Sequence, residues 1–215
     1  VIEDHPGSEA SLEAMMAVGR MQLRAEKYQE AATQFKAVVD LGDIPEPKLK
    51  EAINGLISFY EEMEMYDVAV EMTRRFIETW PSDPTVFRKR VNLGFYYYKL
   101  RYFEQAITHF ESLLPEAPPD DQAEIRYYIG ENYFYKQDFT QAALEFLKVP
   151  YLVTSKEAIM WTALAYAMAG KSYEALSKFD LALGMYQKIL DTPGIAGHDR
   201  AEAEKAIARI KALIK

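Results

Sequence analysis

Five times along the chain an aromatic residue stands three positions ahead of an alanine: Tyr28 and Ala31, Tyr66 and Ala69, Phe103 and Ala106, Phe139 and Ala142, Phe179 and Ala182. By subtraction, the alanines follow one another at intervals of 38, 37, 36 and 40 residues. Four positions after the alanine comes another ring, Phe35, Phe110, Phe146 or Tyr186, with Thr73 in the second copy. Twelve positions before it lies Gly19, Gly94, Gly130 or Gly170, with Ile57 as the exception, and three further on come Gln22, Tyr60, Tyr97, Tyr133 and Tyr173. A chain self-similar at this period builds one supersecondary unit repeatedly, each copy burying its apolar face against the next. Glycine and alanine suit places where two helices cross closely, and the rings fill the space between successive hairpins.

Between these signatures the pattern is helical, and no segment sustains the two-residue alternation of a strand. Helices are expected to begin near residues 9, 28, 46, 66, 84, 103, 121, 139, 155 and 178, forming five hairpins. Asp83-Pro84 offers an N-cap followed by proline at the first helical position, and Thr154 with Glu157 has capping-box spacing. Pro118-Pro119-Asp120-Asp121 reads as a stop followed by a start. An eleventh helix, 199–214, follows the Pro193-Gly194 break. Its Ala201, Ala206, Ile207, Ile210 and Ile214 are spaced for one face, so it is expected to cover the apolar side of the last hairpin. No matching guard precedes the first hairpin, because residues 1–7 are few and polar; self-association through that uncapped end is one expectation.

Composition narrows the function. The 215 residues are 49% hydrophobic, which supplies ample core, and carry a formal charge of -8. With that charge and no basic block, nucleic acid is not an expected partner. The longest uncharged stretch noted beyond the N-terminal region is Ala158 to Gly170, thirteen residues, where a membrane-spanning helix needs about 20. No membrane insertion is therefore expected within these residues. Cysteine is absent, removing thiolate metal sites, cysteine nucleophiles and disulfides from consideration.

The remaining chemical motifs are weak. Gly170-Lys171-Ser172 matches the end of a phosphate-binding loop, but Ala165 stands where that loop needs glycine, and Gly170 falls at the helix-crossing position. His5, His109 and His198 lie far apart, with no metal-ligand spacing. Glu61, Glu62 and Glu64 read as a solvated acidic face. No catalytic residue, cofactor or metal is expected, and the chain is read as no enzyme.

The pattern of glycine, tyrosine, aromatic, alanine and aromatic resembles the tetratricopeptide (TPR) repeat over residues 12–194. That resemblance implies an all-α fold: a right-handed superhelical α-solenoid of five TPR helix hairpins plus a C-terminal capping helix. The whole of 1–215 would be a single solenoid, with repeats at 12–45, 50–83, 87–119, 123–154 and 156–194 and the cap at 199–214. In the family, the first helix of each pair lines a concave groove that binds proteins. Carried onto this sequence, its ligand-facing positions concentrate Arg88, Phe95, Tyr98, Lys99, Tyr127, Glu131, Phe134 and Tyr135 in the third and fourth repeats. Tyr96-Tyr97-Tyr98 and Tyr127-Tyr128 cannot all face one way, so some of these rings are expected to pack between repeats.

The fifth repeat contributes Leu164, Ala167, Lys171, Glu174 and Ala175. The family's clamp for a terminal carboxylate is not carried over, since Met16 and Arg20 occupy the first repeat's positions and Gly55 the second's. The resemblance thus implies a non-enzymatic scaffold that binds a peptide or protein segment in its groove. The alternative is a structural segment of a larger array or envelope complex, associating through terminal or convex faces. Long repeats and the run Phe146 to Tyr151 look similar to bacterial cell-envelope members, the outer-membrane assembly lipoprotein and the Tol-Pal-associated type. That would place the chain in the periplasm or cell envelope; its lack of cysteine fits the cytoplasm equally.

Overall fold

The computed structural model describes residues 8–214. Among them are eleven α-helices and no strand: α1 (Glu9–Arg24), α2 (Tyr28–Asp40), α3 (Glu46–Glu62), α4 (Tyr66–Thr79), α5 (Val86–Lys99), α6 (Phe103–Leu113), α7 (Pro119–Tyr135), α8 (Phe139–Lys148), α9 (Ile159–Ala175), α10 (Phe179–Asp191) and α11 (Gly197–Leu213). Short 3-10 turns follow α6 and α8. Contacts gather into two compact units that divide between Leu100 and Arg101.

Most of the helices start at the residue the sequence pattern indicates or one beyond it; α5 starts two residues late, and α7 and α11 start two residues early. The largest departure is α9, where Thr154 and Glu157 form no capping box. Thr154 is claimed instead by Asp120 in the first turn of α7, whose carboxylate accepts from its backbone N–H (2.7 Å) and hydroxyl (3.1 Å). These bonds, the backbone one foremost, hold the Asp120 carboxyl below its ordinary range. The chain turns on to Ser155, whose Oγ accepts from the N–H of Ala158 at 3.1 Å, and only then does the helix begin. Asp83 likewise acts ahead of its helix, accepting from the N–H of Thr85 at 2.8 Å while α5 starts at Val86. Lys50 pairs with the same carboxylate, which is pulled down to about 2, chiefly by that ammonium.

In the first unit the rings and glycines of the repeat meet directly. The Phe35 ring, 1% exposed, is wedged between α1 and α3. A Cβ added at Gly19 would come within 2.8 Å of it, and one at Gly55 within 2.4 Å. The second hairpin replaces both partners at once, with Ile57 at the glycine position and Thr73 at the ring position, both buried. A larger side chain on one helix thus accompanies a smaller one on the other. Ile53, Ile57, Phe76 and Trp80 form the core there.

The second unit repeats the first arrangement. A Cβ at Gly130 would lie 2.7 Å from Phe146, and one at Gly170 would lie 2.7 Å from Tyr186. Tyr127, Phe146, Val149 and Met168 belong to one core cluster; Tyr186, Ile189, Ala203 and Ile210 belong to the next. The last helix seals that second cluster, but through Ala203 and Ile210, with Ala206 and Ile207 half-buried. Ala201 and Ile214, expected on the covering face, are exposed.

Each hairpin turn carries a non-glycine residue with positive φ: Glu26 (58°), Glu64 (54°), Arg101 (63°), Gln137 (64°) and Ser177 (58°). Around Ser177 the backbone closes a Schellman pair: Ser177 N–H donates to Glu174 O and Lys178 N–H to Tyr173 O, each at 2.8 Å. Glu26, Glu64 and Gln137 are enclosed the same way, the longer bonds ending on Gln22, Tyr60 and Tyr133. The repeated position after the glycine therefore supplies the carbonyl that ends the first helix. A side chain in the left-handed region costs about 1–2 kcal/mol, part of which glycine returns as backbone entropy. Ser177→Gly is accordingly expected to raise stability by about 0.5–1 kcal/mol, read as a higher urea midpoint by circular dichroism. An unchanged or lower midpoint would refute this account of the turn.

Candidate functional site

In the first unit, the surface of the leading helices is partly tied down by charge. On α1 and α3, Arg20 donates to both oxygens of Glu51 (3.0 and 3.2 Å) and to Glu13 (3.1 Å), which also meets Lys48 at 2.9 Å. Lys48 and Arg20 together hold the Glu13 carboxyl below its ordinary value. Exposed pairs of this kind contribute little to stability. Their effect here is to fix where charge sits on the surface.

On α5 the three consecutive tyrosines part company. Tyr96 is fully buried, stacks on Tyr66 at 6.0 Å between ring centroids, and gives its hydroxyl to the carboxylate of Glu61. Burial, then that carboxylate, pushes the phenol up. Tyr97 is buried as well, its oxygen accepting from Arg74 Nε at 3.1 Å. Tyr98 is half-buried beside Phe95, with centroids 6.0 Å apart. Phe95 meets Tyr66 edge-on at 6.3 Å, and Lys99 holds its ammonium 5.2 Å from the Phe95 centroid. Arg88 and Lys99 are exposed. Of the residues expected on this helix, Arg88, Phe95, Tyr98 and Lys99 are thus all accessible in some degree.

On α7 the outcome is different. Tyr127, expected to line the groove, is only 7% exposed. Its ring packs against Phe146 (5.5 Å) and Trp161 (5.3 Å), and its hydroxyl donates to Glu131 at 3.1 Å. It is a packing residue, drawn inward by the rings of the neighbouring helices. Phe134 is half-buried against Phe139 at 5.2 Å. Tyr135 is 49% exposed and lies nearly parallel to Phe103, 6.1 Å away.

Sequence reasoning missed a further concavity. Between α9, α10 and α11 lies a cavity of about 360 Å³. Leu164, Ala167 and Lys171 reach it from the positions expected to face a ligand, whereas α11, expected only as a cover, supplies the other wall. The signal in the sequence is the set of short residues Ala163, Ala167, Ala203 and Ala206, which leave the crevice unfilled. At one end Arg209 and the Tyr186 hydroxyl both bond to Glu174, at 2.9 and 2.7 Å.

The remaining motifs have structural roles. Gly170 lies under the Tyr186 ring inside α9, and the buried Ser172 hydroxyl donates to the Met168 carbonyl at 2.8 Å, so this string forms no phosphate loop. His109 is half-buried beside Phe110, and His5 lies outside the described residues. Among the described residues no group of three or more His, Cys, Asp or Glu could hold a metal, and no helix is long and apolar enough to cross a membrane.

No protein-family model matches the chain, and no curated protein does. Solved structures do match in fold. MamA from residue 41 to its end, from Desulfovibrio magneticus RS-1, superposes with a TM-score of 0.66 at 16% identity, covering 84% of this chain and 93% of that one. Another MamA crystal structure gives 0.63 at 17% identity, covering 92% and 94%. TTC0263, a thermophilic TPR protein of Thermus thermophilus, gives 0.56 at 17% identity, covering 92% and 99%. The fold is that of an all-α TPR-like solenoid.

Proposed function

We propose that this chain is a non-enzymatic interaction scaffold that takes a peptide or protein segment on first helices of its hairpins. The observation that carries this reading is the fate of the rings. On α5 and α7, Tyr96, Tyr97 and Tyr127 are consumed in packing between helices, while Phe95, Tyr98 and Tyr135 stay partly exposed and are held by neighbouring rings. Rigid aromatics with nearby cations such as Lys99 and Arg88 have the composition of binding hot spots, and they lose little side-chain entropy on contact.

The test is Tyr98→Ala combined with Tyr135→Ala, which removes one half-buried and one exposed ring, both outside the core clusters. A partner captured from cell extract on the immobilised wild-type chain is expected to bind this variant at least about tenfold more weakly, in line with the loss of hot-spot residues. Helicity should be unchanged. The second reading, association through the convex face, is favoured by Leu144 on α8 and Leu181 on α10, which are 48% and 47% exposed on second helices. If affinity survives the tyrosine variant and falls instead with Leu144→Glu and Leu181→Glu, the first-helix face is not the binding surface.

A further inference from the structure

The crevice between α9, α10 and α11 has a floor, a size and a charge pattern that together describe a ligand. Glu174 on α9 bonds to Arg209 on α11, thirty-five positions later. The same offset separates two further pairs of lining residues, Leu164 and Asp199, and Lys171 and Ala206. Both helices pack on α10, each joined to it by a short connection, so they run in the same direction with the crevice between them. From Leu164 to Lys171, both on the α9 wall, is seven residues, about 10 Å at 1.5 Å per residue. Tyr186 and Ile189 of α10 close the bottom.

Alanines make the space. Ala167 and Ala206 line the crevice and are too short to fill it. About 360 Å³ lies at the lower end of ligand pockets and admits one large apolar side chain. The charges around it are not equivalent. Lys205 is paired with Glu202 at 2.7 Å, and Arg209 with Glu174. Lys171 is exposed and forms no ion pair among the described residues, although the chain as a whole carries -8. Asp199 lies at the other end, in the first turn of α11, where the helix dipole favours a carboxylate. The crevice thus has an anionic end and a cationic end, and among the described residues that line it Lys171 is the cation without a counterion.

We propose that this crevice receives a bulky apolar side chain, tryptophan or phenylalanine in size, from a peptide segment that carries an acidic residue directly beside it, the acid meeting Lys171. The proposal rests on the scaffold reading and adds to it the location and chemistry of one anchor.

The probe is a hexapeptide, Gly-Gly-Trp-Asp-Gly-Gly, blocked at both ends so that no terminal charge contributes. It is titrated into protein carrying labelled alanine and isoleucine methyl groups and followed by NMR. The Ala167 and Ala206 methyls are expected to shift saturably. Replacing the peptide's tryptophan by alanine should weaken binding at least about tenfold, the contribution of one buried large side chain. Replacing its aspartate by lysine should weaken it about threefold, as for an exposed ion pair. Ala206→Leu fills the crevice and should abolish the shifts, with Ala167→Leu as a second filling variant should the first disturb the fold. Lys171→Glu should invert the preference between aspartate and lysine peptides. Shifts that persist in both filling variants, or a preference untouched by Lys171→Glu, would overturn the proposal. So would binding of decanoate at these methyls without binding of the peptide, since the occupant would then be a fatty acid. Peptide shifts confined to methyls of α5 or α7 would remove the crevice while leaving the scaffold reading intact. Loss of capture on the tyrosine variant tests that reading separately.

Discussion

Phe35→Ala is expected to destabilise the first unit by about 3–5 kcal/mol, the range for removing a buried phenylalanine, and by the upper part of that range. The cost of such a deletion depends on how far the surroundings can collapse into the space. Here the ring is faced by Gly19 on one helix and Gly55 on another, neither of which has a side chain to move inward. Only the helix backbones could close the gap, and they are held apart by Met16, Leu56 and Phe59 in the same cluster. Phe35→Leu should fall between wild type and alanine. The measurement is urea unfolding by circular dichroism, joined to amide exchange, because stacked repeats carry stability as local terms and their unfolding need not be two-state. Protection should fall first in α1 and α2. A loss below about 1 kcal/mol would mean that the glycines accommodate the ring without depending on it.

The second large effect tests whether glycine and ring are one device. Gly130→Ile places a branched side chain where even a Cβ would stand 2.7 Å from Phe146. Isoleucine is the better helix former by roughly half a kcal/mol, so a purely local account predicts a gain. Overpacking against a fully buried ring should instead cost up to about 3 kcal/mol. Phe146→Thr alone opens a cavity and buries a hydroxyl, costing about 3–5 kcal/mol as for other truncations of a phenylalanine. The second hairpin already carries the pair Ile57 and Thr73 at the same sixteen-residue separation, both buried. The double variant Gly130→Ile with Phe146→Thr is therefore expected to lose less than the sum of its parts, by about 1–3 kcal/mol of coupling. Additivity within about 0.5 kcal/mol would show that the two exceptions in the second hairpin are unrelated.

These cases mark where a linear reading stops. Ile57 and Thr73 are legible as departures from a pattern, yet nothing local ties one to the other. Gly55 carries no repeat signature, although it presses on the same ring as Gly19. Thr154 and Glu157 have the spacing of a helix start, but Asp120, thirty-four residues away, takes the threonine. The left-handed turn residues Glu26, Glu64, Gln137 and Ser177 share a position and no chemistry, because the backbone bonds that enclose them ask nothing of the side chain.

The candidate site shows the same division. Arg88, Phe95, Tyr98 and Lys99 are accessible on α5, and Tyr135 on α7, whereas Tyr127 has the right spacing and a buried ring. The alanines that mark the crevice beside α11 are ambiguous in the sequence, because small residues signal close packing as readily as vacant space.

By itself the sequence determined that the chain is all helix, that the helices come in hairpins, and where most of them begin. Those properties follow from spacings within one or two turns and from the recurrence of a short pattern, which are local. Tertiary structure decided which tyrosine of a run is core and which is surface, which glycine serves which ring, and that α11 leaves a crevice as well as covering a face. Each of those outcomes depends on the size of a side chain contributed by another helix, and that complementarity exists only once the helices are packed.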